Sequence, residues 1–322
     1  MNRRFLTTVA AFGVVSSFVG SAQAADLIEP PAYIAPPPPP PAQISTAGWY
    51  LRGDVGYVFK NDTDGDWDFY NYGYGENGID DTHRYDSLTL KGAALFSGGF
   101  GYRFTDNFRA DATLDYFKTD IDGRTECPYQ IKVGHGIYNP AGGCHYEDSG
   151  EATVWTAMAN AYVDIGHFGR FTPYIGAGIG AAHVSYDTGT NQEVCADCAP
   201  SYDRYRATHD GVDSWRFASS LMAGASVDIS DKLKFDAGYK YTRISGGDAY
   251  EFDANDKANG ASGVQMRDNG FNIHTVRAGL RYEFGGGQGF GKGKAPVVGA
   301  PYEEPAPIYS EAPIYDQAPV YK

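Results

Sequence analysis

Four cysteines are the side chains of this 322-residue chain best suited to covalent chemistry. Cys127 and Cys144 lie in one long polar segment, and Cys195 and Cys198 in the next. In an exported protein such thiols oxidise, so two local disulfides are expected. Three pairings exist in principle, and pairing within each segment is the simplest. The Cys195-Ala196-Asp197-Cys198 spacing also fits a redox pair or half of a zinc site. The redox reading lacks a thioredoxin-like pattern around it, and a zinc site needs further ligands, for which His135 and His145 are the candidates. Asp62-x-Asp64-x-Asp66 has the beginning of a calcium loop, but Trp67 stands where the loop needs glycine and no glutamate closes it. A solvated acidic segment, loosely associated with divalent cations, is the better reading. His183 and Ser185 come nearest to a hydrolytic pair, and no third group completes them. Neither an enzyme nor a cofactor is expected.

A larger set of charges follows a strict alternation. From Ile273 to Phe284 the apolar residues Val276, Ala278, Leu280, Tyr282 and Phe284 alternate with Thr275, Arg277, Gly279, Arg281 and Glu283. A period of two is a β-strand with one apolar and one charged face. Charges facing inward suit a barrel whose hydrophobic surface is outside. Seven further segments share the pattern: Trp49–Phe59, Leu88–Phe104, Phe108–Tyr116, Ala152–Ile165, Thr172–Tyr186, Trp215–Ile229 and Leu233–Tyr241. The second, with Leu90, Ala94, Phe96, Phe100 and Tyr102 outward, outruns the ~9–11 residues that a bilayer requires. Parity turns Arg52, Lys91, Arg103, Arg109, Arg216, Lys234, Lys240, Arg277 and Arg281 inward, against Asp54, Asp111, Asp115, Asp164, Asp228, Asp236 and Glu283. Buried charges must pair, because an unpaired one costs several kcal/mol. The expected fold is therefore all-β, an eight-stranded antiparallel transmembrane β-barrel whose narrow lumen is a salt-bridged plug; the alternative is a gated pore for small solutes. Ten strands result if Tyr129–Val133 pairs within its own segment.

Short turns at Thr105-Asp106-Asn107, Gly166–Arg170 and Ser230-Asp231-Lys232 alternate with long segments 60–87, 118–150, 187–213 and 244–269. Outer-membrane barrels have this asymmetry, with short turns in the periplasm and long loops outside. Residues 1–24 fit a signal peptide: Arg3 and Arg4, an apolar run, then Ala22-Gln23-Ala24. Its removal takes the net charge from −14 to −16, since only those two arginines leave. So acidic a chain argues against nucleic-acid binding. Residues 25–47 are a stiff proline-rich periplasmic spacer, 48–284 the barrel, and 285–322 a Gly/Pro-rich tail repeating Ala-Pro-Ile/Val-Tyr. Both tails are expected to be disordered.

With the strands placed, the chain resembles the small outer-membrane β-barrel family of alphaproteobacteria, the Brucella and rhizobial surface-antigen type, related to OmpA-like barrels. The matching stretches are Ala24 to Pro31 (A-A-D-L-I-E-P-P), Trp49 to Tyr57 (W-Y-L-R-G-D-V-G-Y), Thr172 to Gly180 (T-P-Y-I-G-A-G-I-G) and Arg277 to Phe284 (R-A-G-L-R-Y-E-F). The resemblance implies a surface protein of the Gram-negative outer membrane that supports envelope integrity, with porin activity often assigned. It implies contact with membrane lipid, lipopolysaccharide and the barrel assembly machinery, and covalent linkage of an N-terminal Ala-Asp to peptidoglycan, here Ala25 and Asp26. Such barrels commonly end on phenylalanine as an assembly signal. Here Phe284 is internal, so either Tyr282-x-Phe284 is read in place or another signal serves.

Overall fold

The computed structural model describes residues 47–72, 79–198 and 204–284. The signal peptide, Ala25 and Asp26, the proline spacer and the C-terminal repeats lie outside the described residues. In chain order the elements are β1 (Gly48–Val58), β2 (Asn61–Thr63), β3 (Gly65–Tyr72), β4 (Ile79–Arg84), β5 (Ser87–Leu90), β6 (Ala93–Arg103), β7 (Phe108–Glu126), α1 (Tyr129–Gly134), β8 (Cys144–Asp164) and β9 (Phe171–Tyr186). They continue with β10 (Gly189–Cys195), β11 (Arg206–His209), β12 (Asp213–Asp228), β13 (Leu233–Glu251), α2 (Ala254–Ala258) and β14 (Val264–Glu283). No helix among the described residues is long and apolar enough to cross a membrane.

All fourteen strands join one sheet, and eight of them close on themselves in the order β1-β6-β7-β8-β9-β12-β13-β14-β1, antiparallel throughout. The expectation of eight strands thus fits the ring but not the chain. The other six strands build outward from the long-connection end, β5 and β2 beyond β7, β10 and β11 beyond β8, and β3 and β4 beyond β14. Tyr129–Val133, the candidate for an extra strand pair, is the helix α1. At the short-turn end the Thr105 and Ser230 hydroxyls accept from the Phe108 and Leu233 amides, at 3.0 and 3.1 Å, and reverse the chain tightly.

Among the ring strands, β7 keeps one alternation along its whole length but exchanges its polarity partway along. On β7 the inward residues run Arg109, Asp111, Thr113, Asp115, then Phe117, Thr119, Ile121; the outward ones run Phe108, Ala110, Ala112, Leu114, Tyr116, then Lys118, Asp120, Asp122. Between positions 116 and 118 the outside changes from apolar to charged and the inside from charged to apolar. β14 makes the same exchange between Thr275 and Ile273. Below this boundary the outer surface is a belt of exposed apolar side chains, including Trp155 (42% exposed), Leu221 (62%) and Leu280 (50%). Water would drive such a surface to aggregate, whereas lipid solvates it. Above the boundary the sheet closes over a dry core of Leu88, Leu95, Phe117, Val154, Ile244 and Phe271. About half of the residues in the segments read as long loops are therefore strand, because their inward residues still have a core to fill.

Lys91 is the correction to the inward charges. Strand two is interrupted at Lys91-Gly92, so Leu88 and Leu90 on β5 and Ala93 and Leu95 on β6 all point inward. One extra residue between the two runs shifts the parity. Lys91 is left 48% exposed, 2.9 Å from Asp122, and Leu90, expected outward, is buried.

Candidate functional site

The lower lumen holds most of the inward charges in connected ion pairs. Near the short-turn rim, Arg103 reaches Asp164 (3.2 Å) and Glu283 (2.9 Å), and Arg281 joins Glu283 (2.9 Å) to Asp236 (3.0 Å). Lys234 pairs with Asp228 at the same rim, while the Ser226 hydroxyl donates to Asp236. Arg109, wholly buried, pairs with Asp164 at 3.3 Å, and its guanidinium lies between the rings of Tyr162 and Tyr174, 4.3 and 4.7 Å from their centroids. Such stacking lets a buried arginine shed water without losing all electrostatic compensation.

One layer higher, Arg52 is shared by Asp54 (2.8 Å) and Asp111 (3.1 Å). Asp111 also accepts from Tyr50 Oη (3.2 Å), Tyr162 Oη (3.3 Å) and Asn160 Nδ2 (2.8 Å). Above these, Asp115 accepts from Lys240 Nζ (2.6 Å), Ser97 Oγ (2.5 Å) and Thr156 Oγ1 (3.1 Å). Arg277 spans the two layers, its Nη2 lying 3.5 Å from Tyr162 Oη and 3.4 Å from Met222 Sδ. The glycine-laced face of β9 makes the room: a Cβ on Gly176 would stand 2.6 Å from the Tyr162 ring and one on Gly178 2.2 Å from Asn160 Oδ1.

The remaining inward cation is separate. Arg216 lies among the upper residues, with Asp268 at 2.8 Å and the Asp248 carbonyl at 2.9 Å. Its partner Asp268 was hidden by the reading of 244–269 as loop, although it sits on β14. Tyr50, Asn160, Tyr162 and Tyr174 share inward parity with Asp54, Asp164 and Thr172, so alternation alone could have found them; attention to charge passed over them.

The cysteines pair as Cys127–Cys144 and Cys195–Cys198, with Cα separations of 5.4 and 5.6 Å. Of the candidate zinc ligands, His135 reaches Cys198 Sγ at 3.1 Å, whereas His145 turns to Glu147 at 3.2 Å. Asp62 and Asp64 are engaged elsewhere, Asp62 accepting from Thr89 Oγ1 (2.7 Å) and Asp64 pairing with Arg84 (2.6 Å). His183 lies on the outer face against Trp215, ring centroids 4.9 Å apart. Tyr282 and Phe284 also face outward, in edge contact at 5.2 Å, at the short-turn end of β14.

A buried ionic lumen inside an apolar belt is the signature of a barrel that lives in lipid. Comparison with known proteins agrees. The outer membrane protein beta-barrel domain family matches residues 12–284. An uncharacterised protein of Brucella melitensis is 51% identical over 293 residues, covering 88% of this chain and all of that one. A putative adhesin of Rickettsia bellii is 27% identical over 247 residues, 75% of this chain and 90% of its own. Among solved structures, the outer membrane protein OprG of Pseudomonas aeruginosa aligns with a TM-score of 0.43 at 15% identity, over 74% of this chain and 97% of that one. The chain belongs to the outer-membrane β-barrel family, and its place is the outer membrane of a Gram-negative bacterium.

Proposed function

We propose that this protein is a non-conducting, non-catalytic display scaffold. Eight strands form a bore sealed from within, and the upper strands carry a folded lobe outside the cell. The N-terminal spacer, through Ala25 and Asp26, ties the barrel to peptidoglycan and so contributes to envelope integrity. Its other partners are outer-membrane lipid, lipopolysaccharide and the machinery that assembles barrels. One observation carries the reading: two unlike seals lie in series along the bore. Below are the ion pairs of Arg52, Arg109, Lys240 and Arg281; above is a buried, mainly apolar layer of Val58, Leu95, Phe117, Val154, Val184, Ile244 and Phe271. An ion crossing such a path must both break buried pairs, at ~3–5 kcal/mol each, and leave water. A structured lobe above a closed bore suits recognition at the surface, and the Rickettsia relative bears the name of a putative adhesin.

Planar-bilayer recording of the purified full chain tests this. The expected trace is flat apart from rare, unreproducible events. Uniform conductance steps that vanish when Lys240→Met and Asp115→Leu are combined would replace the scaffold with a small-solute porin.

A further inference from the structure

The lobe contains a cluster that the scaffold reading leaves unused. At its corner, where α1 ends, β8 begins and β10 ends, the Glu193 carboxylate is buried among sulfur and imidazole. His135 Nδ1 lies 2.7 Å from Glu193 Oε1 and 3.1 Å from Cys198 Sγ. Ligand atoms of His135, Glu193, Cys195 and Cys198 all lie within 4.8 Å of one another. The Cys127 and Cys144 sulfurs also fall within 4.8 Å of a Glu193 side-chain oxygen, so both disulfides flank one buried acidic side chain.

The geometry points to a redox-gated site for a zinc-class divalent cation, with His135, Glu193, Cys195 and Cys198 as its four ligands once the Cys195–Cys198 bond is reduced. The donors are types that zinc takes, four in number: two thiolates in a C-x2-C spacing, one imidazole and one carboxylate. A tetrahedral zinc ion with bonds of about 2.0–2.3 Å places its donors about 3.3–3.8 Å apart. The His135–Glu193 and His135–Cys198 separations of 2.7 and 3.1 Å need only small outward shifts, while the two sulfurs must part from bonding distance. The surrounding backbone holds the ligands. Glu193 Oε2 accepts the Tyr205 amide at 3.3 Å. The turn carrying both cysteines is pinned to Gly143, with the Ala196 amide on its carbonyl (2.9 Å) and Asp197 Oδ2 accepting its amide (2.7 Å). Neighbours of this kind orient metal ligands and set affinity.

The gate follows from exposure. Cys198 is half-buried, whereas Cys127, Cys144 and Cys195 are buried, so the Cys195–Cys198 bond is the one with a partly exposed partner. A thiolate donor attacks an accessible disulfide first. A dithiol donor supplies two electrons and two protons, the Sγ–Sγ bond breaks, and the donor leaves as its own disulfide. Entry of the cation then displaces one proton from each thiol. While the bond is intact, only His135 and Glu193 remain, too few donors for tight binding.

The test uses the full chain in detergent micelles, with Co2+ as the spectroscopic probe and Zn2+ as its competitor. A water-soluble phosphine reduces the disulfide and becomes the phosphine oxide by taking oxygen from water. The expected result is one Co2+ per chain, with a thiolate-to-metal band and tetrahedral ligand-field bands that Zn2+ erases, in the reduced protein only. Peptide mapping after alkylation should find Cys195 and Cys198 labelled and Cys127–Cys144 still bonded. His135→Ala and Glu193→Gln should each weaken binding at least as much as losing an outer partner does, about 10–100-fold, with unchanged heat-modifiable gel mobility as proof that the barrel is folded. No stoichiometric binding by the reduced natural chain, equal binding without reduction, full affinity in either folded variant, or first reduction at Cys127–Cys144 overturns the site. None of these outcomes touches the conductance test.

Discussion

Asp148, on β8 above the membrane belt, shows how burial sets the behaviour of a single residue in the lobe. Its carboxyl accepts from Asn191 Nδ2 at 2.7 Å and faces the Tyr85 phenol, both of which favour the anion. Burial outweighs them and pushes its pKa from 3.8 up to about 6. A carboxyl with a raised folded-state pKa binds its proton more tightly in the native chain than in the unfolded one. Its stabilising contribution is whole below the unfolded value and is lost as pH rises through the folded one, at up to about 1.4 kcal/mol per pH unit. The lobe should therefore lose stability between about pH 4 and 6 through this group. Asp256, raised to about 6 by burial and the neighbouring Asp253 charge, titrates in the same window and leaves a remainder. Asp148→Asn should flatten the slope in part. The readout is urea unfolding of the lobe followed by Trp67 emission, since Trp67 is buried there while Trp49, Trp155 and Trp215 face outward. An unchanged slope in the variant would show that Asp148 is solvated.

At the scale of the element, β7 defines the membrane boundary within three residues. Its outward face passes from Leu114 and Tyr116 to Lys118, which bridges Glu151 (2.7 Å) and Asp187 (2.9 Å) on neighbouring segments. Two substitutions four residues apart on the same face should then differ sharply. Leu114→Arg places a cation against hydrocarbon and should cost about 2–4 kcal/mol, whereas Lys118→Gln loses only exposed, solvent-screened pairs and should change recovery little. The fraction of heat-modifiable, folded protein recovered in lipid measures both. Equal recovery would place the boundary elsewhere. The alternation of β7 was plain in the sequence as far as Tyr116, and its continuation was equally regular. What concealed it was the reversal of polarity, since charged residues facing outward look like a loop when hydrocarbon is assumed outside.

At the scale of the whole molecule, a barrel that carries a folded lobe at one rim would act as a strut if it had a footing at the other. The spacer after residue 24 has six consecutive prolines, Pro36 to Pro41, which favour an extended segment gaining ~3.1 Å per residue. If Ala25 is the footing, digested cell walls should yield muropeptides joined to a peptide that begins Ala25-Asp26, and Asp26→Ala should abolish them while folded barrel in the membrane is unchanged. Free N-termini on all wall-associated protein would remove the tether and leave the display reading standing.

The alternation of apolar and charged residues from Trp49 to Phe284 was enough to determine an all-β membrane barrel and the parity of nearly every lumen charge, because a strand has only two faces and lipid accepts only one kind. Tertiary structure alone decided the rest. It placed Lys91 outside, since a single inserted residue reverses parity without altering composition. It joined Arg216 to Asp268 across the sheet, and it gathered His135, Glu193 and the four cysteines from a stretch of about seventy residues, 127–198. Partners at that separation are chosen by strand register and core packing, which depend on the whole chain at once, whereas the face a residue occupies depends on its immediate neighbours.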